Sequence, residues 1–511
     1  MTESNQNAAI YFVERHRRGP LAQKPAFVEG IENGRILTYG TLAEQSDLMA
    51  DLYARHGIRR EERAAMMVLD SIEFPIIFWG SLKAGVVPVP LNTLLATDIY
   101  DGILKDCRAR VLFISELLLP AVESTFANNP YLKKVFVIGE PGPYLSFADE
   151  LAAGKPEPVV DACGDETAFW LYSSGSTGLP KGVRHVHSSL AATADTYGAN
   201  VLGIREDDTI FSAAKLFFAY GFGNGMTFPM SVGATTVLYP LRPTPEGVFE
   251  VIARTRPSIF GGVPTLYAAM VAAMRSKRPE GADAIRRSIS AGEALPEEVG
   301  KGWKAVIGTD ILDGVGSTEM LHIFLSNTPD SVEYGTSGVA VPGYELRVVD
   351  ETGAEVGAGE IGELLVKGKS SADNYWNQRD KSRNTFEGEW TRTGDKYVKR
   401  ADGRLVYCGR TDDMFKVSGI WVSPFEVEQA LTRHPSVLEA AVVARKDEKG
   451  LEKPAAFVVL KQGESADGLA EALKELVQTQ IGKWKYPRWI EVVDELPKTA
   501  TGKIQRFKLR G

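Results

Sequence analysis

Short apolar runs that stop at glycine or serine, each followed by a helical pattern, recur along most of this sequence. Ala64–Leu69 reads as a buried strand, Ile72–Lys83 as the helix after it, and Gly85–Pro90 as the next strand. Ala168–Tyr172 is a short apolar run that ends in a Ser/Gly loop, and Gly233–Tyr239 is compact and β-branched. Pro257–Phe260 enters Gly261-Gly262, and Pro264 opens a helix over Thr265–Met274. Ser288–Ala291 and Asp310–Leu312 are further strands ending in glycine loops. This alternation predicts α/β layers with mostly parallel sheets. In such sheets ligands bind at the carboxyl ends of the strands.

From Gly338 the pattern changes. Tyr344–Val349, Gly362–Val366 and Leu405–Cys408 alternate with turns such as Glu351-Thr352-Gly353, which predicts an antiparallel, β-barrel-like subdomain. Beyond Gly409–Asp413 the tail reads helix (Pro424–Arg433), strand (Leu438–Ala444), strand (Ala455–Leu460), helix (Leu469–Thr479), strand (Trp489–Val493). The expected organisation is a large domain over 1–411, of α/β subdomains plus the β subdomain, and a small α+β domain over 412–511.

Composition excludes several classes. Fifty-eight basic against 66 acidic residues give a net charge of −8, a balance that does not ask for nucleic acid, where a clustered basic surface is expected. Cys107, Cys163 and Cys408 are too few and scattered for a disulfide framework or a zinc cluster, so a reducing, cytoplasmic setting is expected. The apolar stretch Phe74–Trp79 contains Pro75 and falls far short of a membrane span, and no signal core follows Met1.

The densest chemical signal is Ser173-Ser174-Gly175-Ser176-Thr177-Gly178-Leu179-Pro180-Lys181-Gly182. Its glycines free the backbone to bring N–H groups close to an anion. Ser174, Ser176 and Thr177 add hydroxyls and Lys181 a cation. A strand feeds this loop and a helical run is expected after it. The bland alternative is a flexible connector.

Other single residues carry matching chemistry. Glu319, after a glycine turn, suits a Mg²⁺ ligand beside a triphosphate; alone it could equally be a helix N-terminal acid. Asp395 can accept two hydrogen bonds from a ribose diol, or be a plain turn carboxylate. Arg410 can reach ribose or phosphate, or form an ion pair with Asp412 or Asp413. Lys503, among Lys498, Arg506 and Lys508, taken alone is a solvated tail lysine.

Together these motifs resemble the signatures of the acyl- and aryl-adenylate-forming superfamily, in that family's order. The Ser/Gly loop resembles its phosphate-binding signature, Gly316-Ser317-Thr318-Glu319 its Gly-x-Thr-Glu motif and Thr393-Gly394-Asp395 its ribose motif. Gly409–Asp413 with Lys416-Val417-Ser418-Gly419 resembles its hinge, and Pro497–Lys503 its terminal lysine motif. The resemblance implies that ATP or AMP meets Ser174, Gly175, Ser176, Thr177, Gly178 and Lys181. It further implies contacts from Glu293, Ala294, Asp313, Gly314, Thr318, Asp395 and Arg410. Thr177 and Glu319 would hold Mg²⁺, and Lys503 would be catalytic, bridging the substrate carboxylate and the α-phosphate. The small domain would be mobile, rotating about Asp412 between two half-reactions, adenylation and then thiol acylation.

The acid would sit among Phe218, Ala219, Tyr220, Gly292, Val315, Gly316, His322 and Ile323. Phe218, Ala219 and Tyr220 make a flat, aromatic-edged slot suited to a planar ring. Lys215–Gly221 with Gly314–Phe324 resembles the benzoate-CoA ligase branch and its hydroxybenzoate relatives. Gly292 and Gly316 would leave room for the ring, and His322 would lie near a ring substituent. Lone histidines are more often structural, and that is the default reading of His322, His185 and His187. Many family members carry histidine at Phe218 and an aromatic residue at Val315 or Gly316, which shifts the adenine contact here to Tyr239, Glu293 or Asp313. No acidic residue stands in Phe217–Gly221 to meet an α-ammonium, which argues against an amino acid substrate. The expectation is an aryl-CoA ligase using ATP, Mg²⁺ and coenzyme A, as monomer or homodimer, without nucleic acid or membrane partners. The alternatives are a medium-chain acyl-CoA ligase, an aryl-adenylating enzyme that loads a carrier protein, or a nucleotide-binding sensor without turnover.

Overall fold

The computed structural model describes residues 5–173, 180–275, 277–417, 420–448, 450–498 and 504–510. Its chain divides into two units, Met1–Glu345 with Val366–Thr391, and Leu346–Leu365 with Arg392–Gly511.

In the first unit a five-stranded parallel sheet runs in spatial order Val87–Pro90, Arg63–Met67, Val111–Ser115, Lys134–Ile138, Leu145–Ser146. Val87–Pro90 and Val111–Ser115 are buried at every position. Such strands read as continuous apolar runs because helices cover both faces. The helix Glu73–Ala84 stops at Gly85, whose φ of 70° is the left-handed turn glycine supplies.

A second sheet has nine strands. Its centre, Pro25–Glu29, Thr235–Leu238, Thr209–Ser212, Ile259–Gly262, Arg287–Ala291 and Ile311–Gly316, is parallel throughout. Antiparallel strands close its edges: Ile36–Thr38 on one side, Ile323–Ser326 and Val339–Ala340 on the other. Tyr267, Trp303, Phe260 and Phe211 fill the core against one of its faces. The turn from Gly316 to Ile323 therefore projects from the carboxyl end of a sheet strand, as the alternation predicted.

One local expectation fails. The run after the Ser/Gly loop is a strand, Lys181–Val186, not a helix. It pairs antiparallel with Thr167–Ser173, placing Ser173 opposite Lys181 and Tyr172 opposite Gly182. The reason is alternation: Val183 and His185 turn into the core while Arg184 lies half-exposed between them. The helix begins only at His187. Asn374–Tyr375 extends this hairpin on the far side of Lys181–Val186, with Tyr375 opposite Val183.

Two widened π-helical segments, Ala194–Leu202 and Gly223–Thr227, lie next to the slot residues. Such segments concentrate at functional sites. The later strands, Glu345–Val349, Ile361–Lys367, Phe386–Glu387, Trp390–Lys399 and Leu405–Arg410, share one five-stranded sheet.

In the second unit, Ser423 caps the helix Pro424–Thr432 by accepting from the Glu426 N–H. Val437–Lys446 and Glu452–Leu460 form an antiparallel pair, joined in parallel by Trp489–Val492. The helix Leu469–Ile481 completes this layer, with Val427, Leu431, Val442, Val458, Leu473 and Val477 between. Among the described residues no helix is long and apolar enough to cross a membrane.

Candidate active site

The hairpin sets the first part of the site. Lys181 Nζ lies 4.3 Å from the centre of the Tyr375 ring, on the neighbouring strand. The Tyr375 hydroxyl donates to Glu319 Oε1 at 2.7 Å. One ring thus stands between the cation predicted for phosphate and the carboxylate predicted for metal. The Glu319 carbonyl accepts from the Ala372 N–H at 2.8 Å, which fixes its backbone as well.

His185, fully buried, reaches the adjacent residue: its Nε2 lies 2.8 Å from the Thr318 carbonyl, which only a donor can satisfy. Burial lowers its pKa to about 4, so the ring is neutral and Nε2 carries the proton. His185 stacks on Phe169 at 5.2 Å, and Phe169 on Phe222 at 5.3 Å. Beyond Glu319, Leu321 adopts φ 64° while almost wholly buried. A left-handed leucine is held only by its surroundings and stores on the order of 1–3 kcal/mol, as residues at functional sites often do.

The donor chemistry fits magnesium. Glu319 offers a hard oxygen, half-exposed. Among the described residues no group of three or more His, Cys, Asp or Glu side chains could hold a metal ion. Ser174, Gly175, Ser176, Thr177 and Gly178 lie outside the described residues.

On the neighbouring strand end, Asp313 is buried, and its Oδ2 lies 3.4 Å from the Leu295 N–H, tying it to the Glu293-Ala294 loop. Burial pushes its carboxyl up to about 8. Gly314 packs on Ile323: a Cβ there would stand 2.9 Å from Ile323 Cγ2. Tyr239 belongs to the sheet core, edge-on to Phe211, and its carbonyl accepts from Lys215.

The slot residues are gathered by a short helix, Ala219–Phe222, whose first residues and Phe218 are half-exposed. The Tyr220 hydroxyl donates to the Ile289 carbonyl at 2.9 Å, so its ring is fixed to the sheet. His322 Nε2 donates to the Tyr220 carbonyl at 3.2 Å. The imidazole is packed by Phe228 at 4.5 Å and Tyr197 at 5.1 Å, and burial holds its pKa down to about 3. His322 is therefore a neutral, buried ring whose Nδ1 has no hydrogen-bond partner. Both amide atoms of buried Asn224, in the adjoining π-helical segment, also lack one.

The two pocket glycines have backbone reasons of their own. Gly292 sits at φ 99°, with open space where a Cβ would stand. At Gly316 a Cβ would meet the His322 carbonyl oxygen at 2.5 Å, so the strand-to-strand turn itself demands glycine. Val315, half-buried, lies between Gly314 and Gly316 on the same strand.

In the second unit Asp395 and Arg410 face each other across paired strands. Arg410 Nη1 donates to Asp395 Oδ1 at 2.9 Å and to the Thr393 carbonyl at 3.1 Å. The ion pair read at Arg410 is thus made with Asp395, not with Asp412 or Asp413. Arg506 pairs with Asp413 at 3.6 Å and forks onto Glu428 at 2.9 and 2.7 Å, while Arg510 donates to Asp413 and to the Asp412 carbonyl. Lys503 falls within 499–503, outside the described residues.

Sequence reasoning missed Tyr375 and the work of His185. Neither lies in a motif, and each meets its partner only through strand pairing.

Residues 13–376 match the model of the AMP-binding enzyme family, and residues 426–503 that of the AMP-binding enzyme C-terminal domain. The chain belongs to the AMP-binding enzymes. Among its relatives in that family is the 4-hydroxybenzoate–CoA/benzoate–CoA ligase of Rhodopseudomonas palustris, 53% identical over 508 residues, covering 99% of this chain and 94% of that protein. The benzoate–CoA ligase of Thauera aromatica is 51% identical over 518 residues, 99% and 98% of the two chains. The crystal structure of a benzoate CoA ligase from Burkholderia xenovorans superposes with a TM-score of 0.90 at 46% identity, over the whole of both chains.

Proposed function

We propose that this AMP-binding enzyme is an aryl-CoA ligase. It activates benzoate or a hydroxybenzoate with ATP as the acyl-AMP, releases pyrophosphate, and transfers the acyl group to coenzyme A with release of AMP. The observation that carries the substrate class is the half-exposed slot of Phe218, Ala219 and Tyr220 beside neutral His322, with no carboxylate from Phe217 to Asn224. The relatives that activate benzoate support the same reading.

The substrate carboxylate is already ionised at pH 7 and needs no general base. Its attack on the α-phosphate brings two negative groups together, and the Lys503 ammonium offsets that repulsion. Lys181 and the Ser/Gly loop face the phosphates. Glu319, with Thr177, would hold Mg²⁺, which neutralises charge on the triphosphate. Asp395 accepts from the ribose hydroxyls and Arg410 orients it. Asp313, Glu293 and Ala294 border adenine. The hinge at Asp412 lets the small domain carry Lys503 away before the thiol attacks. The three free cysteines suit a reducing, cytoplasmic compartment.

The test is AMP and pyrophosphate release with ATP and Mg²⁺, with and without coenzyme A, over benzoate, 4-hydroxybenzoate, 2-hydroxybenzoate, cyclohexanecarboxylate, hexanoate and phenylalanine. Thioester formation confined to the benzoates is expected. Turnover of hexanoate alone, or pyrophosphate release without thioester, overturns the reading. Lys503→Ala should abolish acid-dependent pyrophosphate release while ATP binding persists.

A further inference from the structure

We propose that Tyr375 is a positioning residue that decides which oxygen of Glu319 meets the metal of MgATP, and thereby biases the site toward Mg²⁺ over Ca²⁺. This rests on the reading of Glu319 as a metal ligand.

Three observations carry it. Tyr375 is only 4% exposed, and its ring has little freedom: its strand pairs with Lys181–Val186, its N–H donates to Ser382 Oγ at 3.0 Å, and Phe386 packs on it at 5.3 Å. Its hydroxyl donates to Glu319 Oε1 at 2.7 Å. Glu319 itself is half-exposed, and the phenol engages only one of its two carboxylate oxygens. The backbone of Glu319 is held separately by Ala372, so the carboxylate cannot rotate away without breaking the phenol contact.

The chemistry follows from how the two ions differ. Mg²⁺ demands near-octahedral geometry at about 2.0–2.1 Å, whereas Ca²⁺ takes six to eight oxygens and readily accepts a carboxylate through both of its oxygens. A phenol that donates to Oε1 occupies one of that oxygen's lone pairs and biases Glu319 toward binding through its other oxygen. That suits Mg²⁺ and disfavours the bidentate mode that Ca²⁺ accepts. The Lys181 ammonium over the same ring is registered to that oxygen, so the phosphate-facing cation and the metal-facing carboxylate share one rigid reference.

The experiment is metal binding without turnover: Mn²⁺ titrated by electron paramagnetic resonance into the full chain with ATP and no acid, then displaced with Ca²⁺. Tyr375→Phe should weaken Mn²⁺ binding about threefold to tenfold, the net worth of a typical hydrogen bond. It should also raise the ability of Ca²⁺ to displace Mn²⁺ by a similar factor. Wild-type values for both in Tyr375→Phe overturn the proposal. Glu319→Gln separates the two levels. If it leaves Mn²⁺ binding unchanged, Glu319 is not a ligand and the underlying reading fails. If it weakens Mn²⁺ binding while Tyr375→Phe does not, only the role of Tyr375 fails. Should Tyr375→Phe not fold, Glu319→Asp withdraws the carboxylate by one methylene from the hydroxyl. The same gain for Ca²⁺ is expected there, and unchanged selectivity overturns the proposal.

Discussion

His185 Nε2 and the Thr318 carbonyl stand 2.8 Å apart, joining the strand that follows the Ser/Gly loop to the turn that carries Glu319. His185→Phe keeps the aromatic stack on Phe169 but removes one of the two donors to the part-buried Thr318 carbonyl, which also accepts from the Leu321 N–H, a loss of about 0.5–1.5 kcal/mol. Urea unfolding should register that loss. Because the carbonyl lies next to Glu319, KM for ATP should rise more than KM for the acid. Equal effects on both, or none, would show that the contact only stabilises the fold.

Asp313 gives a pH signature. Its carboxyl is pushed up to about 8 in the folded chain, against about 3.9 when unfolded. The folded state thus keeps a proton that the unfolded state releases, so stability falls as pH rises from about 4 to about 8 and is level above that. Asp313→Asn removes this slope. Its stability relative to the parent should grow across the window, reaching on the order of a few kcal/mol at pH 8. Parallel pH profiles for the two chains would contradict the burial of an uncompensated carboxylate.

Gly223 controls the seat of His322. A Cβ at this position would stand 2.4 Å from His322 Cδ2 and 2.8 Å from Phe228 Cζ. Gly223→Ala should overpack the site, costing roughly 1–3 kcal/mol. Acid-dependent pyrophosphate exchange should show KM for benzoate raised about tenfold, with KM for ATP little changed, since the added methyl meets His322 and Phe228. A normal benzoate KM would remove His322 from the acid site.

Gly394 guards the pairing of Arg410 with Asp395. Its φ of 71° excludes most side chains, and a Cβ would come within 2.9 Å of Arg410 Nη2. Gly394→Ala should therefore displace Arg410 from Asp395. Calorimetric titration should find ATP binding weakened about tenfold, equivalent to 1.4 kcal/mol. Asp395→Asn should also narrow the preference for ATP over 2′-deoxy-ATP, and an unchanged preference would deny Asp395 the ribose.

Fully buried strands and longer helices were legible in the sequence because burial writes an unbroken apolar run or a sustained period: Arg63–Met67, Pro264–Met274 and the tail helix Leu469–Ile481 all stand near their expected places. Lys181–Val186 was not, because it mixes polar and apolar residues, and six such residues are too few to separate a period of two from one of 3.6. Glycine is ambiguous for another reason. Gly316 reads as room for a ring, yet the His322 carbonyl already forbids a side chain there, and sequence alone does not separate the two causes. Tyr375 is invisible at that level, since its bond to Glu319 spans 56 residues and depends on a two-residue edge strand.

The two units are interleaved along the chain: Leu346–Leu365 belongs to the second but precedes Val366–Thr391 of the first. Domains ordinarily fold as units during synthesis, the N-terminal one first. Here the ribosome delivers a piece of the second unit before the first has received its last strands, Asn374–Tyr375 among them. The phenol that meets Glu319 thus arrives late in translation. Maturation of the two halves overlaps in time, and no single cleavage of the chain yields both of them whole.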